Sequence, residues 1–128
     1  MNCILLIEDD AAVRAVIEEA LSDYQVVAND GSSDIFKLIK EHKPDLVLLD
    51  YILPNINGGE LCHQIKTNPD TSTIPVILIS GFSRVLYSLG SYGSDAILEK
   101  PFDLDKLLET VAQFEQIREQ EVTLLKKA

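Results

Sequence analysis

Residues 46–54 read Leu46-Val47-Leu48-Leu49-Asp50-Tyr51-Ile52-Leu53-Pro54. Four consecutive large aliphatic residues that stop at a carboxylate describe a strand covered on both faces, because a parallel strand with helices above and below it carries a near-continuous apolar run. Asp50 then sits at the carboxyl end of a central strand, where open α/β sheets place their ligands. The plainer alternative makes Asp50 the first residue of a turn leading to Pro54.

The same pattern recurs on either side. Cys3 to Ile7 is an apolar run ending at Glu8, Asp9 and Asp10, and Val76 to Ile79 is another ending at Ser80 and Gly81. Ala96 to Leu98 is a smaller strand that runs into Glu99-Lys100-Pro101, and Gln25 to Asn29 is a brief β-leaning segment. Between the strands, Val13, Val16, Ile17, Ala20 and Leu21 have the spacing of an inward helical face, with Asp10 as its N-cap. Ile35, Phe36, Leu38 and Ile39 predict a second helix, capped from the turn Asp30-Gly31-Ser32-Ser33 and stopped before Pro44. Gly58 to Thr67 predicts a third, carrying Leu61 and Ile65. Val85, Leu86 and Leu89 predict a fourth, loosened by Gly90 and Gly93, since glycine weakens a helix interior. Asp103 caps a fifth, with Leu104, Leu107, Leu108 and Val111 inward. Five strands alternating with five helices predict an α/β domain: a parallel sheet with helices on both faces and right-handed crossovers.

Composition narrows the functions such a domain can serve. With 128 residues, one ordinary core is expected. The formal net charge of -10 repels a phosphate backbone, so no direct nucleic-acid contact is expected. No stretch approaches membrane-spanning length, and the opening apolar run is short for a signal peptide, so the expected location is the cytoplasm, with no membrane partner. Cys3 and Cys62 form no CxxC or Cys/His ligand pattern and read as packing residues in a reducing compartment.

The strand ends gather Glu8, Asp9, Asp50, Ser80 and Lys100 at one edge of the sheet. Carboxylates a few ångströms apart repel by about 4 kcal/mol per pair at an effective dielectric of 20, which calls for a cation among them. Magnesium, with its preference for a few carboxylate oxygens plus water and its pairing with phosphate chemistry, is the economical choice. A lysine and a serine hydroxyl suit the oxygens of a phosphoryl group. Asp50 is then a nucleophile that forms an aspartyl phosphate. Neither a P-loop nor a GxGxxG run occurs, so a nucleoside triphosphate is not the expected donor. His42 and His63 complete no triad or zinc pattern and read as surface residues.

Together, Ile4 to Asp10, Leu46 to Pro54, Ile79-Ser80-Gly81 and Glu99-Lys100-Pro101-Phe102 resemble the receiver domain of two-component response regulators, in order and spacing, over Cys3 to about Ile117. The resemblance implies a flavodoxin-like sheet of strand order 2-1-3-4-5, doubly wound with five helices, over residues 1–117, with 118–128 as a C-terminal helical extension or linker. It implies Asp50 as phosphoacceptor and Glu8, Asp9, Asp50 and the Ile52 carbonyl as Mg2+ ligands. Ser80 and Lys100 are implied to hold the phosphoryl group, and the Lys100–Pro101 bond to be cis. The implied partners are a sensor histidine kinase or phosphotransfer protein and a downstream protein target or fused output domain. A homodimer would form through the face built by the fourth helix, fifth strand and fifth helix. The domain would be no enzyme in the ordinary sense, assisting only its own phosphorylation and dephosphorylation.

Two departures stand out. Receiver domains often carry Phe or Tyr three residues before the lysine, and here that position is Ile97. Tyr87 and Tyr92 could stand in, though they read first as ordinary helix and loop tyrosines. The Leu89 to Ser94 segment is expected to move on phosphorylation instead. Ile52 and Phe82, two residues beyond Asp50 and Ser80, are bulky enough to exclude water and prolong the phosphoryl group's life. Two other function classes compete. An aspartate-nucleophile phosphatase uses the same logic but usually has a second Asp where Ile52 stands, and a phosphate-independent scaffold would not need all five polar residues.

Overall fold

The computed structural model describes residues 3–81 and 92–127. Its strands are β1 (Cys3–Ile7), β2 (Gln25–Asn29), β3 (Leu46–Asp50), β4 (Val76–Ser80) and β5 (Ala96–Glu99), and its helices are α1 (Ala11–Ala20), α2 (Ile35–His42), α3 (Gly58–Thr67) and α4 (Leu104–Lys127). The helix expected from Val85, Leu86 and Leu89 lies outside the described residues, as do Phe82 and Tyr87. All strands are parallel, in the order β2-β1-β3-β4-β5. Leu5 stands beside Val47 and Val47 beside Val76, so the residues that follow β1, β3 and β4 emerge at a common edge.

Strands β1, β3 and β4 are buried at every position, as their unbroken apolar runs predict. Alternate side chains serve two cores. Leu5, Ile7, Val47, Leu49, Val76 and Leu78 meet Ile35, Ile39, Leu61, Cys62 and Ile65 from α2 and α3. Ile4, Leu6, Leu46, Leu48, Ile77 and Ile79 meet Ile17, Leu21, Leu107 and Val111 from α1 and α4. Each fully buried Leu or Ile contributes about 1.5–3 kcal/mol relative to exposure, so the sheet positions its edge rigidly.

Helical periodicity overstates the inward face in three places. Val16, Leu104 and Leu108 are 50%, 43% and 39% exposed. Ile17, Leu21, Leu107 and Val111 are buried against the sheet, with Val13, Ala20 and Phe114 partly buried beside them, whereas Val16 and Leu104 border an apolar groove of about 530 Å³ with Ala12, Val13, Pro101 and Phe102. Asp10 does cap α1, accepting from Ala12 N and Val13 N. The cap of α2 is Asp34, one residue beyond the expected turn, which accepts from Phe36 N at 3.0 Å. Helix α4 runs unbroken past Ile117, but among its described side chains Val111 is the last that is fully buried. Tyr24 Oη donates to Glu115 Oε2 at 2.7 Å and ties the end of α1 to that helix.

Candidate functional site

Glu8, Asp50 and Lys100 are held at the sheet edge by backbone hydrogen bonds that continue the strand ladders. Glu8 follows β1, and its N–H donates to Asn29 O at 3.0 Å, continuing the ladder one residue past the strand. Asp50 is the last residue of β3, and Tyr51 N donates to Ile79 O at 2.9 Å. Lys100 follows β5 and its N–H reaches Ser80 O at 2.8 Å. The Lys100–Pro101 peptide is cis.

Their side chains converge. Lys100 Nζ lies 3.1 Å from Asp50 Oδ2 and 3.4 Å from Glu8 Oε2. Glu8, Asp9 and Asp50 each bring a carboxylate oxygen within 4.8 Å of the others. Glu8 and Asp50 are 1% and 5% exposed, whereas Asp9 faces solvent. Ser80 is buried at the end of β4, and Ile52 donates its N–H to Asp50 Oδ1 at 3.2 Å while its side chain is 56% exposed.

Three acids face one ammonium, and the imbalance falls on the most buried acid. Burial, and then the hydrogen bond and charge of Asp50, push the Glu8 carboxyl up to about 7, against the opposing pull of Lys100. Burial alone would lower Lys100, but the bonds and charges of Asp50 and Glu8 outweigh it and hold the ammonium above its ordinary value. A cluster of hard oxygen donors with a deficit of positive charge fits a hard divalent cation that keeps some of its waters. Glu8 and Asp50 both share this cluster and contact Lys100, and Asp50 is the nearer of the two and the last residue of its strand.

Several supporting residues were not legible in the sequence. Arg14 Nη1 donates to Glu8 O at 2.8 Å and fixes the acidic turn from α1. Asn57 caps α3, accepting from Gly59 N at 2.7 Å and Glu60 N at 3.3 Å. Gly58 lets α3 begin directly against β3: a Cβ there would lie 1.9 Å from Asp50 O. An Asn followed by two glycines at a helix start was the available signal for the cap, but the clash requires three dimensions. At the opposite end of the sheet, Asp95 Oδ2 accepts from Val76 N at 2.8 Å and Lys66 Nζ at 2.9 Å, locking β5 beside β4.

A family model described as "Response regulator receiver domain" matches residues 4–112. Response regulator ArlR of Staphylococcus epidermidis is 39% identical over 114 residues, which cover 84% of this chain and 50% of that protein. Histidine kinase P4 of Formosa agariphila is 34% identical over 106 residues, covering 80% of this chain and 8% of that protein. The chain thus spans half or less of these curated relatives. The crystal structure of response regulator protein TrrA from Thermotoga maritima, solved in complex with Mg2+ and BeF, superposes with a TM-score of 0.79 at 27% identity, covering 89% of this chain and 99% of that one.

Proposed function

We propose, because this chain belongs to the response regulator receiver domain family, that Asp50 accepts a phosphoryl group from a phosphohistidine on a sensor kinase or phosphotransfer protein and that the phosphorylated domain changes its protein contacts. The observation that carries this reading is Lys100 Nζ at 3.1 Å from Asp50 Oδ2, inside a cluster whose acids have oxygens within 4.8 Å of one another. A receiver domain acts within a two-component system; which kinase and which output it serves belong to the proposal.

In the step proposed, an Asp50 carboxylate oxygen forms a bond to phosphorus as the phosphorus–nitrogen bond to the donor's imidazole breaks. The electron pair stays on the imidazole nitrogen, which leaves neutral or takes a proton from water. Asp50 is oriented for this by the Ile52 N–H on one oxygen and Lys100 on the other. Lys100 neutralises charge that builds on the phosphoryl oxygens, and Ser80 at the end of β4 holds one of them by its hydroxyl. Magnesium, held by Glu8, Asp9, Asp50 and the Ile52 carbonyl, would supply the remaining neutralisation. The domain therefore assists its own phosphorylation, including from small donors, and its own dephosphorylation. Ile52, half-exposed beside the acceptor, shields the acyl phosphate from water.

The apolar groove of Val13, Val16, Phe102 and Leu104 is lined also by Lys100, so a donor helix seated there would deliver its phosphohistidine to Asp50. Both cysteines are free and buried, and no helix among the described residues is long and apolar enough to cross a membrane. With the acidic composition, these features support a cytoplasmic role. Incubation with magnesium and acetyl phosphate should add one phosphoryl mass to the wild type and none to Asp50→Asn, read by intact-mass analysis. An adduct retained in the variant would remove Asp50 from its role. Steady phosphate release from many small esters would instead favour a phosphatase, for which Ile52 offers no general acid.

A further inference from the structure

Ile97 leaves the site without an aromatic residue three positions before the lysine, yet an aromatic pair occupies the same side of the sheet. Tyr51, directly after Asp50, and Tyr92, ahead of β5, have ring centroids 6.1 Å apart and planes inclined at 37°. Tyr92, and then Asn57, hold the Tyr51 hydroxyl below its ordinary value, while Tyr51 raises that of Tyr92. Both rings pack, with Ile56 and Ile97, on the core shared by α2 and α3.

The pair is tied to the acceptor at one end and to a strained turn at the other. Tyr51 lies between Asp50 and the Ile52 N–H that bonds Asp50 Oδ1. Its own carbonyl accepts from Gly58 N at 2.7 Å, so any adjustment of this loop passes through its backbone. Tyr92 has φ +56° and Gly93 φ +81°, a left-handed pair that folds the Tyr92 ring back over α3. A non-glycine residue keeps such a conformation only where its surroundings hold it. Here the holding groups are the Tyr51 ring and a seat at Gly59, where a Cβ would lie 2.6 Å from the Tyr92 ring. The two consecutive glycines thus have separate uses: Gly58 admits the Asp50 carbonyl and Gly59 admits the Tyr92 ring.

We propose that the Tyr51–Tyr92 pair couples the acceptor to the segment that enters β5. When Asp50 carries a phosphoryl group, the loop at 51–57 shifts, the Tyr51 ring moves with it, and Tyr92 leaves its seat over Gly59. Tyr92 is a positioning residue in this scheme and touches no reacting atom. The scheme rests on the receiver reading of Asp50. It differs from an aromatic switch at the Ile97 position because the moving ring comes from the preceding turn and is held against α3. A seated ring and a released ring are two discrete packings, as a switch requires.

The full chain can be tested by NMR with magnesium and beryllofluoride as the phosphoryl mimic. Its four tyrosines and lack of tryptophan make ring labelling simple to assign. A bound fluoride resonance present in wild type and absent in Asp50→Asn establishes the acceptor; its absence in wild type overturns the receiver reading and this scheme together. With the mimic bound, the Tyr92 ring signals should shift. In Tyr92→Leu, fluoride should still bind, while the amide shifts at residues 93–97 lose most of their response. Gly59→Ala should show displaced Tyr92 ring signals before any mimic is added. If the mimic binds while Tyr92 ring signals stay fixed, or Tyr92→Leu responds at 93–97 as wild type does, the coupling scheme is wrong and the receiver reading stands.

Discussion

Gly58 carries no functional group, yet the placement of Asp50 against α3 depends on it. Because a Cβ at this position would lie 1.9 Å from Asp50 O, and that atom is backbone, Gly58→Ala has nowhere to relax. It should destabilise the fold by about 3 kcal/mol, at the upper end of ordinary overpacking, measured by urea unfolding. An unchanged midpoint would show that α3 can back away from β3. The cysteines give a second check at single positions. Burial pushes the Cys62 thiol up to about 12, and burial followed by Asp45 raises Cys3. Since the thiolate is the nucleophile, alkylation of native protein at mildly alkaline pH should be roughly 100-fold slower than in urea, followed by mass. Rapid native labelling would contradict their burial. Asp50 was legible in the sequence because an apolar run stops at it, and Lys100 because the run Ala96 to Leu98 leads into Glu99-Lys100-Pro101. Gly58 and the Tyr51–Tyr92 pair were not, because each matters through a distance to a residue that sequence patterns do not record.

Among the elements, strands were read almost to the residue, since a run such as Val76 to Ile79 has few other uses, and α3 was read at both bounds. Helical faces were read less well. A spacing of three and four residues marks a stripe, but how much of it is covered depends on how the neighbouring helix sits, and that left Val16, Leu104 and Leu108 outside. The N-cap Asn57 escaped because the residues before α3 read as loop. Asn57→Ala should cost about 1 kcal/mol, seen as a lowered melting temperature, and an unaltered value would show that water replaces the cap. Helix α4 raises the question of where the domain stops. Among its described side chains the last that is fully buried is Val111, Phe114 is partly buried, and Ile117, Leu124 and Leu125 are exposed. A chain ended after Ile117 keeps the Tyr24–Glu115 hydrogen bond and should unfold within about 1 kcal/mol of the longer one. A larger loss would make 118–128 part of the domain instead of an extension.

For the molecule as a whole, the acidic cluster links stability to solution conditions. A cation that binds only the folded chain adds about 2.7 kcal/mol at a hundredfold excess over its dissociation constant. Magnesium should therefore raise the melting temperature of wild type, and Glu8→Gln or Asp9→Asn should lose most of that gain. An equal rise in the variants would place the ion elsewhere. Proton linkage runs the opposite way to that of a salt-bridged acid. With Glu8 raised from 4.5 to about 7, the folded chain keeps a proton that the unfolded chain has released. In chelator, stability should thus fall as pH rises through that window, whereas Glu8→Gln should be flatter, measured by thermal unfolding at stepped pH. The ion pairs of Lys100 reach back 50 positions to Asp50 and 92 to Glu8. A chain synthesised from its amino end therefore exposes all three acids to the cell before their ammonium exists. Until β5 has left the ribosome and docked, the cluster lacks its ion-pair partner, so the nascent domain should depend on magnesium more steeply than the finished one does.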